Sequence, residues 1–512
     1  MFFVVLSIIL VAFGHNSLLG IGAAAIGYAC FWNVALQKFT NTRDRFWAFF
    51  VWYAICLSVQ LSWLTSTRYM GSGILVIYVL VVIVFALQFG SLAFFFNTKN
   101  LSFRRCLAIA GFWVILEWSR LTYIPGNWIP VGMALSTTSY AIQFAALFGA
   151  YGLSFWVMFV NSYALCAKNR IVWTSLAAFP YLFGCVQQTW VHWFVREEQT
   201  LSIALVQTGI RPEQKDRMHG HAGSYIPPIS QWERIWEQLD QEKKVDLIIL
   251  PEASIGLGAH HPCYPIEMVE ILWQYHFGKQ ALLDLPPQKG KTVSNSYLAQ
   301  SLANHFNADV ILGFVDGRYN SAFCFHPGDL PSEKTEKRFL VPLGEYVPFS
   351  ENQWVAHFFS EQFGVTDAFD VGTESKIFSS HCPIAASICV EETYGQFMRD
   401  LRNQGARLFV NVTNDIWFPA SRLPEHHFQL GKMRSAENGV YSLRSCNTGV
   451  TGVIDCCGRV VETIPVSEEK VDVLYTSIPI KSFQTLYSFW GDGAILSFSA
   501  LCLIFGIYRR RK

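Results

Sequence analysis

Three residues that lie far apart in this sequence carry the side chains that acyl transfer requires: Glu252, Lys337 and Cys389. A thiol needs a base in order to become a thiolate nucleophile. A cation or N–H donors must face the oxygen on which negative charge forms when a carbonyl is attacked. The base must then return its proton to the leaving group. One glutamate, one lysine and one cysteine therefore fit a cysteine-based acyl transfer.

The positions of these residues relative to apolar stretches strengthen this interpretation. Cys389 follows the small, apolar stretch 384–388, and Glu252 ends the apolar stretch 245–251. Active sites commonly lie where the strands of a sheet end. Taken alone, each residue has a simpler interpretation: an inert buried thiol, a surface cation and a solvated strand end. The chemical hypothesis depends on all three being brought together.

The surrounding sequence, from residue 200 to 485, alternates apolar strands with polar helices. The predicted strands are 201–208, 245–252, 308–315, 321–326, 384–391, 406–414, 441–446, 450–455 and 471–478. The predicted helices are 228–243, 295–306 and 424–438, with a long loop after Glu252 and a turn at Gly344 and Glu345. Apolar strands of this kind need helices over the faces of their sheet. The pattern predicts a layered α/β domain.

Outside this domain the chain is dominated by apolar residues. Hydrophobic residues make up 52% of the sequence and charged residues 15%, whereas a soluble domain carries about 25% charged residues. The candidate transmembrane spans are 2–14, 17–36, 44–64, 72–96, 103–122, 143–166, 171–189 and 489–508. The sequence therefore predicts a transmembrane domain of seven helices at 1–195, a domain at 200–485, and a last transmembrane helix at 489–508.

The basic residues between these spans are concentrated in alternate loops. They follow the second, fourth, sixth and eighth spans: Lys38, Arg43, Arg45, Lys99, Arg104, Arg105, Lys168, Arg170 and 509–512. Basic loops stay in the cytoplasm, and eight spans place both ends of the chain on one side. Both termini are therefore predicted to be cytoplasmic, and the 200–485 domain to lie outside the cytoplasm.

Composition also argues against two classes of partner. The formal net charge is +1 and the sequence has no basic stripe, so no nucleic-acid partner is expected. The chain has 13 cysteines but no C-x-x-C pair, so no zinc site of that type is expected. The 200–485 domain has an odd number of cysteines, so at least one of its thiols stays unpaired within the chain.

Two features of the predicted membrane domain need a separate interpretation. A carboxylate inside a membrane is costly, so Glu117, within the fifth span, is expected to lie near the membrane surface beside Arg120. The turn-rich stretch 124–130 contains Trp128, and tryptophan favours the headgroup layer. This loop is either an aromatic anchor or one wall of a cleft through which lipid enters.

Two polar pairs in the 200–485 domain are also ambiguous. His426 and His427 are adjacent on a predicted helix and therefore point in different directions. This favours structural or surface roles over a shared ligand role. Asn414 and Asp415 either orient the site or cap a turn.

Glu252, Lys337 and Cys389, in this order, resemble the catalytic triad of the nitrilase, or carbon–nitrogen hydrolase, superfamily. Four further stretches sharpen the resemblance: 339–349, 414–418, 427–437 and 443–453. With seven spans before this domain and one after it, the whole chain resembles the apolipoprotein N-acyltransferase family, the membrane branch of that superfamily. The resemblance implies an α/β nitrilase-like αββα sandwich joined to a polytopic α-helical membrane domain of about eight transmembrane helices.

The resemblance also implies a reaction in two steps. Glu252, as proton acceptor, activates Cys389, whose thiolate attacks the sn-1 ester of a phospholipid, typically phosphatidylethanolamine, and releases a lysophospholipid. The resulting thioester then acylates the free α-amine of the S-diacylglyceryl-cysteine at the N-terminus of an apolipoprotein. Lys337 stabilises the oxyanion, and Glu345 and Glu391 support the triad. No cofactor or metal is required, because a thioester is reactive enough to acylate an amine.

The family further implies a monomer in the bacterial inner membrane, with its catalytic domain in the periplasm. This sequence departs from the family at two places: Val390 stands where many members carry tyrosine, and 209–216 lacks a tryptophan. These departures bear on the preferred lipid and on the covering of the site more than on the chemistry.

Two other functions are compatible with parts of the sequence. A membrane-tethered amidase of the nitrilase type would use the same triad, but it would release ammonia or an amine instead of a lysophospholipid. A membrane scaffold or transporter would not need the triad. The spans also lack the paired charges and matched broken helices that mark many transport paths.

Overall fold

The computed structural model describes residues 1–96, 101–215, 224–288, 290–328, 332–347, 354, 357 and 368–507. Parts of several sequence predictions fall outside these residues, namely Lys99, Asp216, 348–349 and 509–512. Within the described residues, a bundle of helices is followed by an α/β domain and by a last helix that returns to the bundle.

Seven helices form the first domain. They are α1 (Phe2–Phe13), α2 (Leu19–Lys38), α3 (Thr42–Gln60), α4 (Ile74–Ser91), α5 (Phe103–Ser119), α6 (Ala145–Ala164) and α7 (Arg170–Phe194). Aromatic rings pack between them: the ring centroids of Trp32 and Phe89 are 6.0 Å apart, and those of Phe31 and Trp52 are 4.5 Å apart. Stacked rings bury a large apolar area, so these contacts hold the bundle together.

The second domain contains, among its described residues, two six-stranded sheets and one two-stranded sheet. Its elements, in chain order, are β1 (Gln199–Gln207), α8 (Pro212–Lys215), α9 (Pro228–Trp236), β2 (Leu247–Ile249), β3 (Tyr264–Pro265), α10 (Ile266–Phe277), β4 (Thr292–Val293), α11 (Asn295–Phe306), β5 (Asp309–Asp316), β6 (Tyr319–Phe325), β7 (Glu333–Glu336), β8 (Ile377–Ser379), β9 (Pro383–Ile388), α12 (Gly395–Asn403), β10 (Leu408–Thr413), α13 (Leu423–Asn438), β11 (Tyr441–Cys446), β12 (Gly452–Ile454), β13 (Val460–Thr463) and β14 (Asp472–Ile480). The strand order is β14-β1-β2-β5-β6-β7 in the first sheet and β13-β12-β11-β10-β9-β8 in the second, and β3 pairs with β4 in the two-stranded sheet.

The central strands of each sheet are parallel. β1, β2 and β5 run parallel in the first sheet, and β9, β10 and β11 run parallel in the second. The outer strands pair with them in antiparallel fashion. Parallel strands present their carboxyl ends at one edge, which is where open α/β sheets bind ligands.

The two sheets pack face to face, and helices cover their outer sides. Apolar residues of both sheets, such as Ile249, Ile311, Ala386 and Val410, form one buried cluster between them. Helices α9, α10 and α11 pack on the outside of the first sheet, and α12 packs on the outside of the second. Helix α13 contacts β11 on one side and α6 of the bundle on the other. The predicted αββα sandwich is confirmed.

The last helix, α14 (Leu486–Ile507), packs against α5 and α6 of the first domain. A Cβ atom on Gly111 would lie 2.4 Å from the carbonyl oxygen of Ser499. Small residues let helices approach this closely in membrane proteins. The chain therefore leaves the bundle to form the α/β domain and then completes the bundle with its last helix.

Among the described residues, eight helices overlap the eight predicted spans. Four helical segments are long and apolar enough to cross a membrane: Leu19–Lys38, Ile74–Phe94, Ala141–Ala164 and Leu486–Gly506. Helix α1 is apolar but has only 12 residues. The helical, apolar character of the first domain is confirmed, whereas the count of eight transmembrane helices stays a prediction.

Several short elements of the second domain were not predicted from the sequence. Helix α10 lies in the stretch that was interpreted as a long loop. Strand β7 has the sequence Glu-Lys-Thr-Glu and lies at the edge of its sheet. Edge strands are often polar, so they lack the apolar pattern by which strands are recognised.

Glu117 is fully buried inside the bundle. Its expected position near the membrane surface, beside Arg120, stays a prediction. Its Oε2 accepts hydrogen bonds from Trp113 Nε1 and from the Val131 backbone N–H, both at 2.9 Å. Its Oε1 accepts a hydrogen bond from Ser154 Oγ at 2.6 Å. Three hydrogen bonds offset much of the cost of burying a carboxyl group. Glu117 therefore joins α5 to α6 and to the segment around Val131.

We expect Glu117→Ala to lower the thermal stability of the protein in detergent. The substitution leaves the buried donors of Trp113, Val131 and Ser154 unpaired, and each unpaired group costs about 1–3 kcal/mol. Tryptophan fluorescence during heating measures the change in Tm. Glu117→Gln keeps one acceptor oxygen and should lose less. Equal Tm values for Glu117→Ala and the unsubstituted protein would show that these hydrogen bonds contribute nothing.

Candidate active site

Glu252 lies just beyond the carboxyl end of β2 and is held there by β5. The Gly313 N–H donates to the Pro251 carbonyl at 3.0 Å, and the Ser254 N–H donates to the Gly313 carbonyl at 2.9 Å. A Cβ atom on Gly313 would lie 2.6 Å from Glu252 Cα, so this approach requires glycine. The buried Glu252 side chain is therefore fixed at the edge where the parallel strands end.

Lys337 follows β7 and lies between two carboxylates. Its Nζ donates to Glu252 Oε1 at 3.0 Å and to Glu345 Oε1 at 2.9 Å. Asn320 Nδ2 donates to the same two oxygens, at 2.7 and 2.9 Å. Burial lowers the pKa of Lys337, but Glu252 and Glu345 together raise it well above its ordinary value. The lysine is therefore a fixed, buried cation.

Glu345 is positioned by a tight turn. Its Oε2 accepts the Val341 N–H at 2.8 Å, and its own N–H donates to the Val341 carbonyl at 2.8 Å. Leu343 in this turn has a φ of +65°, a conformation that is uncommon for residues other than glycine. This unfavourable backbone conformation positions the Glu345 side chain against Lys337.

Cys389 is the first residue after β9 and begins a short 3-10 turn, Cys389–Thr393, which we call the nucleophile turn. Its φ is +52°, and strained backbone of this kind is concentrated at functional sites. Asn411 Nδ2, on the neighbouring strand β10, donates to the Cys389 carbonyl at 3.2 Å. The partly buried thiol therefore lies at the carboxyl end of β9, in the second sheet.

The electrostatic setting of Cys389 favours the protonated thiol. Desolvation raises the pKa of this thiol, the negative charge of Glu252 raises it further, and the positive charge of Lys337 lowers it. The charges of Glu252 and Lys337 both act on the sulfur, so the structure brings the three predicted residues together. Because the resting thiol keeps its proton, a base must remove that proton when the sulfur attacks.

Glu391 connects the backbone around Lys337 to the backbone around Cys389. Its Oε1 accepts the N–H groups of Arg338 and Phe339 at 2.6 and 3.3 Å, and its Oε2 accepts the Ile388 N–H at 2.8 Å. Burial raises the pKa of Glu391 to about 7, although these N–H groups oppose the shift. These three hydrogen bonds all come from backbone N–H groups, so Glu391 fixes the backbone beside Lys337 relative to the backbone beside Cys389.

The sequence patterns missed Asn320, which bridges Glu252 and Glu345. The predicted strand began at Ser321, whereas β6 begins two residues earlier, at Tyr319, and so includes Asn320. Asn320 is an amide inside a buried strand, and buried polar groups need partners. That mismatch is a signal by which Asn320 can be recognised.

The two ambiguous polar pairs have different surroundings in the structure. Asn414 Oδ1 accepts the Ile416 N–H at 3.3 Å, so Asn414 caps a turn. Asp415 is buried against His427, with Oδ1 2.8 Å from Nδ1. His426 is also buried and contacts the Trp128 carbonyl. Neither histidine is on the surface.

Profiles of two protein families match consecutive parts of this chain. The carbon–nitrogen hydrolase profile matches residues 202–487, and the profile of the apolipoprotein N-acyltransferase N-terminal domain matches residues 8–163. The apolipoprotein N-acyltransferase of Chlamydia caviae is 30% identical over 519 residues, which cover 95% of this chain and 92% of the relative. The chain belongs to the apolipoprotein N-acyltransferase family. The family member of Chlamydia pneumoniae is also 30% identical and covers 95% of this chain and 93% of the relative.

Solved structures that resemble part of the chain come from the nitrilase superfamily. Nit3 of Saccharomyces cerevisiae, a member of branch 10 of that superfamily, has a TM-score of 0.34 and 17% identity and covers 57% of this chain and 94% of its own. An amidase from Nesterenkonia has a TM-score of 0.34 and 15% identity and covers 56% of this chain and 93% of its own.

Proposed function

We propose that this protein is an acyltransferase that completes lipoprotein maturation in a bacterial membrane. The donor is the sn-1 acyl chain of a phospholipid, and phosphatidylethanolamine is the proposed lipid. The acceptor is the free α-amine of the S-diacylglyceryl-cysteine at the N-terminus of an apolipoprotein. The observation that carries the proposal is the contact of Glu252 with Lys337 beside Cys389, in a chain of this family.

In the first step, Cys389 forms a thioester. Its thiol proton passes to the Glu252 carboxylate while the sulfur attacks the ester carbonyl. The charged Lys337, fixed by two carboxylates, faces the developing oxyanion, and fixed charges of this kind stabilise a transition state more than they stabilise the substrate. The carbon–oxygen bond then breaks, and Glu252 gives the proton to the oxygen of the departing lysophospholipid.

In the second step, the amine of the lipoprotein takes the acyl chain. The neutral amine attacks the thioester carbonyl, Lys337 again stabilises the oxyanion, and Glu252 receives a proton from the attacking nitrogen. The carbon–sulfur bond breaks, and the proton returns to the sulfur of Cys389. The products are an amide and the original enzyme, so each atom and proton is accounted for and no cofactor is consumed.

The proposed setting is the inner membrane of a bacterium, with a monomer that crosses the membrane eight times. Both termini lie in the cytoplasm and the α/β domain lies in the periplasm. The alternating basic loops and the eight helices that overlap the predicted spans support this arrangement. Both substrates carry acyl chains that stay in the membrane. An active site in a domain joined to a membrane bundle therefore lies close to both of them.

The test is a reaction of purified protein with phosphatidylethanolamine and a synthetic diacylated lipopeptide. We expect one lysophospholipid to form for each N-acylated lipopeptide. An S-diacylglyceryl peptide whose α-amine is already acetylated is the matched control and should accept no chain. Release of ammonia from small amides, without lysophospholipid, would instead indicate a membrane-tethered amidase of the nitrilase type.

Asn320→Asp should slow this reaction more than Asn320→Ala does. The aspartate would place a third carboxylate beside Glu252 and Glu345, with one ammonium group among them. Carboxylates this close share protons, which weakens Glu252 as a base, and a general base contributes about 10²–10⁴-fold to a rate. Initial rates at pH 7 check the order of the two variants. A more active Asn320→Asp variant would contradict this role of the charges.

A further inference from the structure

Four ionisable side chains are buried together behind the nucleophile turn: Glu392, Asp415, His427 and Arg444. We call them the ion cluster. Arg444 lies between the two carboxylates, with Nε 3.1 Å from Glu392 Oε1 and Nη2 3.2 Å from Asp415 Oδ2. His427 lies between the same carboxylates: its Nδ1 is 2.8 Å from Asp415 Oδ1, at hydrogen-bond distance, and its Nε2 is 3.1 Å from Glu392 Oε1, a close contact without hydrogen-bond geometry. Arg444 Nη2 also lies 2.8 Å from His427 Nδ1.

The ion cluster reaches Cys389 by two routes. Glu392 belongs to the nucleophile turn itself, three residues after Cys389. Arg444 Nε contacts Asn411 Oδ1 at 3.5 Å, and Asn411 Nδ2 donates to the Cys389 carbonyl at 3.2 Å. The backbone of Cys389 has a positive φ, and strained backbone persists only where its surroundings hold it. The contacts of the ion cluster with the nucleophile turn and with Asn411 keep this backbone in place.

Two glycines leave room for the ion cluster. A Cβ atom on Gly431, in α13, would lie 2.7 Å from Glu392 Oε2. A Cβ atom on Gly449 would lie 2.2 Å from Asp415 Oδ2. Side chains packed this closely cannot shift without moving their neighbours, so the positions of Glu392 and Asp415 are narrowly defined.

The loop between α5 and α6 covers the same region from the membrane bundle. The ring of Trp128 lies 5.3 Å from the ring of His427, and the Trp128 carbonyl contacts His426. A Cβ atom on Gly126 would lie 2.1 Å from Thr393 Oγ1, at the end of the nucleophile turn. The first domain thus contacts both the turn and the ion cluster, which goes beyond the anchor or cleft wall expected from the sequence.

We propose that His427 is a positioning residue for the nucleophile: it bridges Glu392 to Asp415, fixes the nucleophile turn, and is itself held by Trp128 of the membrane bundle. This proposal rests on the proposed function for its consequence, which is the rate of Cys389 acylation. In this positioning role, His427 does not touch the reacting atoms. Its loss would misplace the sulfur relative to Glu252 and Lys337, and a misplacement of about 1 Å can cost roughly 10²-fold in rate.

The test compares His427→Ala and His427→Gln with His326→Ala in the full-length protein. His326 is a matched control because it also lies between two carboxylates, with Nδ1 2.8 Å from Asp309 and Nε2 3.1 Å from Glu333. His326 comes directly after the carboxyl end of β6, whereas Asn320 lies at the beginning of that strand. The first measurement is the rate at which phosphatidylethanolamine acylates Cys389, corrected for the folded fraction. The second is the rate at which iodoacetamide alkylates Cys389, read from peptide masses.

We expect His427→Ala to acylate about 10²-fold more slowly, with an unchanged KM for the lipid and slower alkylation of Cys389. His427→Gln keeps an N–H donor and should recover part of the rate, and His326→Ala should react like the unsubstituted protein. Unchanged rates in His427→Ala, or equal losses in His326→Ala, would overturn the proposal. If His427→Ala does not fold, Gly431→Ala, which displaces Glu392, is measured in its place with the same expectation.

The two measurements separate this inference from the proposed function. If the unsubstituted protein is not acylated by the lipid, the proposed function fails, and alkylation of Cys389 alone decides the inference. Slower alkylation in His427→Ala than in His326→Ala then supports the positioning role. Equal alkylation rates refute it.

Discussion

Replacing Cys389 by serine should abolish acyl transfer, with a loss of at least about 10⁴-fold, as is found when the nucleophile of a hydrolytic triad is removed. A hydroxyl group holds its proton far more tightly than a thiol, so Glu252 cannot activate it in the same geometry. Serine differs from cysteine by one atom and should preserve the fold of the nucleophile turn. Release of lysophospholipid from phosphatidylethanolamine, with lipopeptide present, measures the loss.

Cys382 offers a matched control for this substitution. It is also buried and lies immediately before β9, whereas Cys389 lies immediately after that strand. Cys382→Ser should therefore retain most of the activity while making the same chemical change seven residues away. Comparable losses in the two variants would mean that the thiols at the two ends of this strand matter for packing, and the nucleophile would have to be sought elsewhere.

Lys337→Met should lose both activity and stability. Removing a positive charge that faces an oxyanion costs about 10²–10³-fold in rate. The substitution also leaves Glu252 and Glu345 buried without their cation, and breaking a buried ion pair in this way costs about 3–5 kcal/mol. Initial rates and thermal unfolding, measured on the same preparation, report the two effects separately.

A second substitution distinguishes these two roles of Lys337. In the double variant Lys337→Met with Glu345→Gln, one of the two unpaired carboxylates becomes neutral. We expect the double variant to recover part of the lost Tm but none of the lost rate, because neutralising Glu345 does not restore a cation near the oxyanion. Recovery of rate together with Tm would show that Lys337 acts through the stability of the site alone.

The sequence predicted the framework of the site because its main signals are local. Long apolar strands such as β5 and β10, and the helices α11 and α13, were recognised within a few residues of their bounds. Strands that need cover on both sides predicted a layered α/β domain, and the resemblance to the nitrilase superfamily implied its αββα arrangement. The candidate residues Glu252 and Cys389 were chosen because they follow such strands, and the structure brings them together with Lys337.

The rest of the site could not be predicted because it depends on contacts between distant segments. Asn320 is bonded to carboxylates 68 and 25 residues away, and no periodic pattern marks it. His427 was expected to have a structural or a surface role, and its burial between Glu392 and Asp415 leaves the structural one, with partners that the sequence did not identify. Glu117 became buried because a loop and another helix supply its donors. In each case the partners are set by the tertiary fold.

Cys389 is expected to carry the acyl chain between donor and acceptor. Intact-protein mass spectrometry after incubation with phosphatidylethanolamine alone can detect this acylated form. We expect a mass gain of one acyl chain that maps to Cys389, is absent from Cys389→Ser, and is discharged when a diacylated lipopeptide is added. If a folded protein turns over both substrates without ever gaining that mass, or gains it equally in Cys389→Ser, then Cys389 does not carry the chain.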